Sequence, residues 1–451
     1  MRIDQLILEN FRGVIKGTFE FPRAPERPVG GNGSFNLLVG PNGAGKTSIL
    51  EGLAVAASGL FLSMRGTDVR NIRHEDAHVL IKRPGGRAQR APQYPVKVTG
   101  IGHIDRNALE WTRSLDAPGG RTKTREAQEM IAASKDMGIR AIDGWDDTLP
   151  LISYYGADRL WNEPKDMVQQ RKAGQKKRAL HEMHVTPKNE VEAAREQFSM
   201  RVGGYSNSVN GRCSPRDLQR WLGFEDYKAY KQKQESIHST IVRSAIRDCQ
   251  PGVKEVIYDA ELGTLLFHND ANWVEFRHLS EGQRNMAALV GDIAWKAAQL
   301  NPHLGERALK ETPGIVLIDE IDMHLHPEWQ RMIVRILQEV FPEIQFICAT
   351  HSPQIIGEVP AEEVRILHLS DDYSPPYSQG IDSNRVLEEV MQSSSRRDEA
   401  EELLHQLAIA IDDENFTEAG KRLEVLEAAL GENDPEIIRA NVLMGFLQET
   451  K

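Results

Sequence analysis

A glycine-rich loop near the N-terminus has the residue types and spacing of a phosphate-binding site. Residues 40–47 read GPNGAGKT and fit the pattern G-x-x-x-x-G-K-[ST]. Gly43 and Gly45 allow a tight turn that aims backbone N–H groups at a phosphate. Lys46 would add a positive charge for the outer phosphates, and the Thr47 hydroxyl is suited to Mg²⁺. The loop therefore predicts a site for a nucleoside triphosphate and Mg²⁺.

The elements on either side of this loop suit that chemistry. Residues 35–39, FNLLV, form a short apolar run that predicts a buried strand, and a helix is expected to follow from Thr47. A helix N-terminus carries a partial positive charge and favours an anion. Asn42 and Ser48 flank the loop glycines and the helix start, and we include them in the predicted nucleotide-binding set.

A second apolar run, Ile315 to Ile318, ends in two carboxylates. Such a run is typical of a strand buried on both faces of a parallel sheet, and ligands of these sheets lie at the carboxyl ends of the strands. We expect Asp319 to hold Mg²⁺ through water and Glu320 to orient or deprotonate the attacking water. A further buried strand, IQFICATHS, reaches His351, which is predicted to contact the γ-phosphate.

The segment LSEGQ, residues 279–283, has the character of a second phosphate cradle. Ser280 can donate a hydrogen bond to a phosphate, and Gly282 permits a close approach of the backbone. Gln283 begins a predicted helix with apolar residues at helical spacing, which would point its N-terminus at an anion. Two cradles in one chain raise the question of which phosphate the second one binds.

The order of GPNGAGKT, LSEGQ, IVLIDE and THS resembles the ABC-type ATPase superfamily, in its soluble RecF, SMC and OLD-like branch. The resemblance implies an α/β ATPase head with two lobes that binds ATP and Mg²⁺. It also implies that the signature of one subunit closes on ATP held by the P-loop of another, in a head-to-tail homodimer or a higher oligomer. Glu281 stands where that signature usually has glycine, a common substitution in the soluble branch.

The glutamine that this superfamily usually carries in its connecting loop is missing. Its place after a strand is taken by PLISYYGADRLW, residues 150–161. Tyr154, Tyr155 and Arg159 either line the nucleotide or transmit its state, or they form an aromatic packing corner. The sequence leaves both interpretations open.

Three histidine-rich patterns could suggest other chemistry. HEDAH, residues 74–78, matches the H-E-x-x-H of zinc metalloproteases, but it precedes a strand-like run and is interpreted as a chance match. HEMH, residues 181–184, is interpreted as a solvated helix face. HLHP, residues 324–327, follows the predicted catalytic carboxylates where the superfamily has its D-loop, so Asp322 and His324 are expected to face the dimer seam.

Composition and charge limit the remaining function classes. The chain has 451 residues, and no run of apolar residues is long enough to span a membrane. The three cysteines, Cys213, Cys249 and Cys348, have no metal-binding spacing, which favours a reducing cytoplasm. The net charge is −11. Residues 398–451 carry almost all of it, whereas residues 61–125 are basic and form either a nucleic-acid surface or a solvated β-hairpin.

The motif order divides the chain into four parts. These are an N-terminal ATPase lobe with a β-rich basic region at 1–160, a helical insert and lead-in to the signature at 161–277, a second ATPase lobe at 278–370 and an acidic helical tail at 371–451. Helices of the insert are predicted to start at Thr186-Pro187 and Ser214-Pro215. The tail is expected to form a helical hairpin or three short helices and to serve as an interaction surface.

The segments YYGADRLW, GGYSNS and GIDSNRVLEEVM, together with the signature, resemble the PtuA-like ATPase subunit of Septu-type anti-phage systems and its relatives that accompany retrons. The resemblance implies a slow ATPase that senses infection and regulates a separate HNH nuclease (PtuB-like). Nucleic acid is a further expected partner. Two alternatives remain, a RecF- or SMC-like DNA-repair ATPase and a transporter ATPase subunit. An adjacent HNH nuclease gene would distinguish the first interpretation from DNA repair.

Overall fold

The computed structural model describes residues 1–23, 31–64, 67–82, 89–105, 107–143, 147–158, 198–213, 215–367, 372–391, 398–413, 415–431 and 433–449. These residues divide into two units, Met1–Ile381 and Asp382–Lys451. Each unit is described by itself below. No helix among the described residues is both long and apolar enough to cross a membrane.

The strands, numbered in chain order, all lie in the first unit. They are β1 Arg2–Phe11, β2 Val14–Glu20, β3 Ser34–Val39, β4 Val79–Lys82, β5 Gln89–Pro92, β6 Val96–Ile104, β7 Asn107–Leu115, β8 Leu151–Tyr155, β9 Glu255–Asp259, β10 Thr264–His268, β11 Trp273–Glu275, β12 Gly314–Ile318, β13 Ile344–Thr350, β14 Val364–Leu367 and β15 Asp372–Tyr373.

The principal helices occur in both units. They are α1 Lys46–Ala57, α2 Gln128–Asp143, α3 Pro215–Gln232, α4 Ile237–Asp248, α5 Glu281–Leu300, α6 Ala308–Glu311, α7 Pro327–Val340, α8 Pro353–Ile356, α9 Asp398–Asp412, α10 Phe416–Leu430 and α11 Pro435–Glu449.

A six-stranded sheet forms the centre of the first unit, with the strand order β15-β14-β3-β13-β12-β8. All of these strands run parallel except β15. Every residue of β3, β8, β12 and β13 is buried, which explains their continuous apolar sequences. The α/β fold with a parallel sheet is confirmed, and the segments after β3, β12 and β13 leave the same edge of the sheet.

A second sheet is antiparallel, with the order β2-β1-β6-β7. It packs against α1, where a Cβ on Gly52 would lie 2.8 Å from Leu8 Cδ2. The Trp111 indole N–H of β7 donates to Ala56 O at 3.0 Å. Part of the basic region at 61–125 is thus built into this sheet through β6 and β7, while β4 and β5 form a separate two-stranded hairpin.

The described part of the predicted helical insert contains strands as well as helices. Helices α3 and α4 are followed by a three-stranded antiparallel sheet with the order β11-β10-β9. We expected a helical insert, and this is wrong for residues 255–275. The alternating sequences EVIYD and TLLFH, joined by a turn at Gly263 with φ +64°, suit a hairpin. The predicted helix start at Thr186-Pro187 and the HEMH segment at 181–184 lie outside the described residues.

The second unit contains α9, α10 and α11, so three helices occur where a hairpin was one expectation. Asn415 caps α10 through its side chain, and Gly431 at φ +90° ends it, which leaves Pro435 to begin a third helix. The helices share an apolar core that contains Leu407, Ala410, Ile411, Ala419, Leu423, Leu426, Ile437 and Ala440. The apolar periodicity of the tail therefore packs the three helices on one another.

Candidate nucleotide-binding site

The glycine-rich loop joins β3 to α1, and its glycines adopt backbone angles that other residues avoid. Gly43 and Gly45 have φ values of +86° and +97°. A Cβ on Gly43 would meet no atom within 4 Å, and one on Gly45 would meet only Val14 Cγ2 at 4.0 Å. Glycine is therefore required here by the backbone conformation and not by crowding. Asn42 at the loop tip is exposed, and Ser48 lies half-buried in the first turn of α1.

Lys46, the first residue of α1, folds back over the loop. Its Nζ donates to Gly40 O at 2.7 Å and to Pro41 O at 3.0 Å. Burial lowers the pKa of this lysine, and the nearby carboxylates of Asp319 and Glu320 oppose that shift. The ammonium group is thus held inside the loop, next to the carboxylates that end β12.

A hydrogen bond connects the loop to the end of β12. Thr47 Oγ1 donates to Asp319 Oδ2 at 2.8 Å, and the Asp319 backbone N–H donates to Tyr155 O at 2.8 Å on the neighbouring strand β8. A hydroxyl and a carboxylate oxygen are hard ligands of the kind that Mg²⁺ uses alongside water and phosphate oxygens. The pair fits a Mg²⁺–nucleotide. The described residues contain no cluster of three His, Cys, Asp or Glu side chains that could hold a metal by themselves.

Glu320 follows Asp319 in a strained turn. Its φ is +47°, in the left-handed region that glutamate seldom adopts. The turn is held by the Ile321 N–H, which donates to Ala349 O at 3.0 Å, and by the Met323 N–H, which donates to Glu320 O at 3.0 Å. Strained backbone of this kind concentrates at functional sites, where the surrounding structure maintains it.

Asp322 connects this turn to the end of β13. Its Oδ1 accepts a hydrogen bond from Thr350 Oγ1 at 2.7 Å and one from the His351 N–H at 3.4 Å. The structure therefore brings His351, partly exposed, to the sheet edge that carries Asp319 and Glu320. Sequence reasoning placed Asp322 near a subunit seam and missed this contact within the chain.

The signature begins α5, and two of its side chains each bind the backbone N–H of the other residue. Ser280 Oγ accepts from the Gln283 N–H at 3.3 Å, and Gln283 Oε1 accepts from the Ser280 N–H at 3.1 Å. This reciprocal arrangement is a capping box, which satisfies N–H groups at the helix start. The S-x-x-Q spacing was the signal for it, and sequence reasoning did not use it.

The signature also packs against the turn that follows β12. A Cβ on Gly282 would lie 2.5 Å from His324 O, so only glycine fits without a backbone shift. Asn285 Nδ2 donates to Met323 O at 3.0 Å, and Glu281 Oε1 lies 3.5 Å from His324 Nε2. The close approach predicted for Gly282 thus occurs within the chain, against a residue whose own φ is +62°.

A buried polar network joins α5 to β8 below the signature. Tyr155 Oη donates to Asp292 Oδ2 at 2.7 Å, and Lys296 Nζ lies 2.7 Å from the same oxygen. Lys296 also donates to Ser153 Oγ at 3.2 Å. Burial raises the pKa of Tyr155, and the Asp292 charge adds to the shift. Tyr155 is thus buried and hydrogen-bonded to the signature helix, while Arg159 lies outside the described residues.

The HEDAH segment has a structural function. Residues 74–76 form one turn of 3₁₀ helix, so the two histidines do not share an α-helical face. Arg12 Nε and Arg70 Nη1 lie 2.8 and 3.0 Å from the buried carboxylate of Asp76. Burial favours a higher pKa for Asp76, but its hydrogen bonds, first from Arg70, outweigh burial and lower it. Arg70 also binds Glu51 of α1 at 2.8 Å, which ties the segment to the P-loop helix.

Comparisons with known proteins show which families and structures this chain is similar to. Residues 5–242 match a family described as "AAA domain", and residues 132–357 match one described as "AAA domain, putative AbiEii toxin, Type IV TA system". Among solved structures, the Smc head bound to the C-winged helix domain of ScpA has 16% identity and a TM-score of 0.45, covering 83% of this chain and 98% of that one.

Similar proteins include two probable ATPases of retrons and a Septu protein. The chain is 27% identical to the Retron Vc95 probable ATPase of Vibrio cholerae serotype O1 biovar El Tor, over 74% of this chain and 69% of that protein. It is 34% identical to the Retron Ec83 probable ATPase of Escherichia coli, over 37% of this chain and 30% of that protein. It is 24% identical to the Septu protein PtuA of Bacillus mycoides (strain KBAB4), over 85% and 43%. The chain thus spans less than half the length of the Retron Ec83 ATPase and of this PtuA protein.

The P-loop lies within the family match over residues 5–242, and the carboxylates at the end of β12 lie within the match over residues 132–357. Each family match covers half of the chain or more. The resemblance to PtuA-like ATPases is confirmed by the relatives. The chain belongs to the AAA-domain family of ATP-binding ATPases.

Proposed function

We propose that this chain hydrolyses ATP with Mg²⁺ and serves as the regulatory ATPase of an anti-phage defence system with a separate nuclease. The observation that carries the ATPase proposal is the 2.8 Å hydrogen bond between Thr47 Oγ1 and Asp319 Oδ2. It brings together two oxygen ligands, the Thr47 hydroxyl of the P-loop helix and the Asp319 carboxylate at the end of β12.

The chain's own residues divide the work of hydrolysis. The loop around Gly43 and Gly45 offers backbone N–H groups to the phosphates, and Lys46 leaves its loop carbonyls to bind the outer phosphates. Thr47 and Asp319 would hold Mg²⁺, which would supply charge neutralisation for the phosphate oxygens when bound. Glu320 orients the attacking water, and His351 lies at the same edge of the sheet to contact the γ-phosphate.

The ATPase proposal is tested by measuring phosphate release with ATP and Mg²⁺. We expect slow turnover that EDTA abolishes, and loss of both ATP binding and turnover in Lys46→Ala, because the phosphates lose their charge partner. Lys135→Ala, which changes an exposed lysine of α2, is the matched control. Equal turnover in the Lys46→Ala and Lys135→Ala proteins would contradict the site.

We propose further that the signature acts on ATP bound by a second copy of the chain. Ser280 is exposed at the N-terminus of α5, a helix of 20 residues whose partial positive charge favours an anion. The capping box occupies Ser280 as an acceptor, so its hydroxyl proton can still be donated to a phosphate oxygen. A head-to-tail dimer around two ATPs would use this donor.

The defence role rests on the relatives, which are named Retron Vc95 probable ATPase and Septu protein PtuA. A resemblance to PtuA implies a PtuB-like HNH nuclease as partner. DNA repair of the RecF or SMC type remains the alternative function.

The second unit offers the surface that we propose for the nuclease. Helix α11 is apolar on two faces, and Ile437 and Ala440 of one face are buried in the three-helix core. On the other face Ile438, Val442 and Phe446 are exposed, the last to 67%. An apolar face inside an acidic segment suits a partner with a basic rim, and it would not bind DNA directly.

This docking proposal is tested by a pull-down with a co-expressed HNH nuclease. We expect capture by the full chain and at least tenfold weaker capture when Val442→Ser and Phe446→Ser are combined, since exposed aromatic anchors dominate interfaces. Val425→Ser, on the exposed face of α10, is the control. Full-strength capture by the Val442→Ser/Phe446→Ser protein would reject α11 as the docking surface without affecting the ATPase proposal.

A further inference from the structure

Helix α3 presents an unusual outer face. Phe224, Tyr227 and Tyr230 are all exposed, and Tyr230 is exposed to 83%. Their spacing of three residues advances about 4.5 Å along the helix per ring. Large aromatic side chains are normally buried, so three exposed rings on one face need an explanation.

Positive charges are interleaved with these rings. Lys228 Nζ lies 4.4 Å from the centroid of the Phe224 ring, and Lys231 Nζ lies 5.1 Å from that of Tyr227. We call this set the aromatic–lysine face, and it consists of Phe224, Tyr227, Lys228, Tyr230 and Lys231.

The acidic side chains of α3 form hydrogen bonds and ion pairs with residues of α3 and with residues at the start of α4. Asp226 accepts from Ser239 Oγ at 2.8 Å, and Asp217 lies 3.6 Å from Arg220. Glu225 is buried; it binds Ser236 Oγ at 2.7 Å and Lys228 Nζ at 2.6 Å. Glu225 pairs with Lys228 through one of the three N–H donors of that lysine, so the aromatic–lysine face and Glu225 together carry a net charge of +1.

The inner side of α3 is fastened to the signature helix α5. Leu218 lies against Gly291, where a Cβ would be 2.6 Å from Leu218 Cδ2. Trp221 Nε1 donates to Gln299 Oε1 at 2.9 Å. The outward rings thus stand on a helix that is held in place, which lowers the entropic cost of binding a ligand.

We propose that the aromatic–lysine face binds single-stranded nucleic acid. Bases of a single strand stack on exposed aromatic rings, and lysines between the rings neutralise the phosphates that join the bases. A duplex does not offer its base faces, because they are stacked inside. A protein partner fits less well, since protein interfaces are enriched in aromatic residues but depleted in lysine.

The test is fluorescence anisotropy of a labelled poly(dT) strand of about 16 nucleotides with the full-length chain at low salt. We expect binding to be at least about tenfold weaker in the combined Tyr227→Leu/Tyr230→Leu protein, which keeps apolar bulk and loses the rings. The combined Tyr227→Phe/Tyr230→Phe protein should retain wild-type affinity. Tyr377→Leu, which changes an exposed tyrosine elsewhere, is the control.

Salt dependence tests the lysines separately. In the Lys228→Gln/Lys231→Gln protein the slope of log affinity against log salt should fall by about 1.4, since two phosphate contacts are lost. Lys135→Gln should leave the slope unchanged. ATP turnover and melting temperature, compared for every variant, report whether the chain is still folded.

Three outcomes would overturn the proposal. One is a wild-type chain that does not bind the strand, and another is equal affinity in the leucine and phenylalanine double variants. The third is a leucine double variant that binds the strand normally but loses self-association or capture of an HNH nuclease, which would assign the face to a protein partner.

Discussion

The two phosphate-type loops of this chain differ in how complete they are. The P-loop contacts acidic residues of the same chain. Thr47 donates a hydrogen bond to Asp319, and Lys46 lies near the carboxylates of Asp319 and Glu320. At the signature, Ser280 and Gln283 bind each other, and Gly282 packs on His324 O. The P-loop therefore contacts the residues that we propose for catalysis, whereas the signature contacts only residues that fix its backbone.

This difference suggests a division of roles. A site whose ligands are already assembled can bind nucleotide in a single chain. The signature is exposed, and its backbone is fixed by the capping box and by packing on the turn after Glu320. It is therefore suited to bind a phosphate of ATP held by another chain. The turn at 320–325 lies near both loops, because it begins at Glu320 near Lys46 and ends against Gly282 and Asn285.

The largest expected effect concerns the assembled site. Glu320→Gln should lower ATP turnover by about 10²–10³-fold, because the water loses its orienting carboxylate, and should leave ATP binding intact. Phosphate release and nucleotide binding are measured on the same protein. The variant should also accumulate an ATP-bound dimer, detected by light scattering. Unchanged turnover would remove Glu320 from the catalytic role.

The packing of the signature is tested next. Gly282→Ala places a Cβ 2.5 Å from His324 O, which should cost about 1–3 kcal/mol of stability and abolish ATP-dependent association. Gly420→Ala on α10, where a Cβ would meet nothing within 4 Å, is the control and should be neutral or stabilising. Thermal unfolding and light scattering measure the two effects. Equal behaviour of both variants would show that the contact with His324 is unimportant.

The buried network behind the signature should matter less. Tyr155→Phe removes the hydroxyl that donates to Asp292, which should lower the free energy of unfolding by about 1–2 kcal/mol. Tyr230→Phe, in which the lost hydroxyl is exposed, should have almost no effect on stability. Urea unfolding measures both. A Tyr155→Phe protein as stable as the wild type would mean that the network does not stabilise the join between α5 and β8.

The smallest effect on stability separates the two roles of Ser280. Ser280→Asp keeps a good N-cap residue, so the free energy of unfolding should change by less than about 0.5 kcal/mol. The variant has no side-chain proton to donate to the partner's phosphate and adds a negative charge, so ATP-dependent association should weaken. If association is unchanged while stability is also unchanged, capping is the whole function of Ser280.

Much of the assembled site could be predicted from sequence, because its signals are local. The strand, loop and helix around Lys46 and the apolar run before Asp319 have short-range patterns that dictate their structure. Contacts between distant segments could not be predicted in this way. The hydrogen bond from Tyr155 to Asp292 and the ion pairs of Asp76 join residues far apart in the chain, and only the folded sheet brings them together.

One expectation about the fold was wrong. The segment before the signature was expected to be helical, but its alternating residues form β9 and β10. At Gly282 the motif predicts glycine for a close approach, and the structure adds a contact with His324 O of the same chain that the motif does not predict. The motif predicts that residue 282 is glycine, and the packing on His324 O gives one physical reason why glycine is needed there.

The central claim, that the signature completes a P-loop on another chain, is tested most directly by mixing two inactive proteins. Lys46→Ala lacks a working P-loop and keeps its signature, whereas Ser280→Arg keeps its P-loop and lacks a working signature. Random pairing should restore about a quarter of wild-type ATP turnover, because half of the dimers are mixed and each mixed dimer has one intact composite site. Turnover that stays at the level of the separate proteins would contradict action between chains.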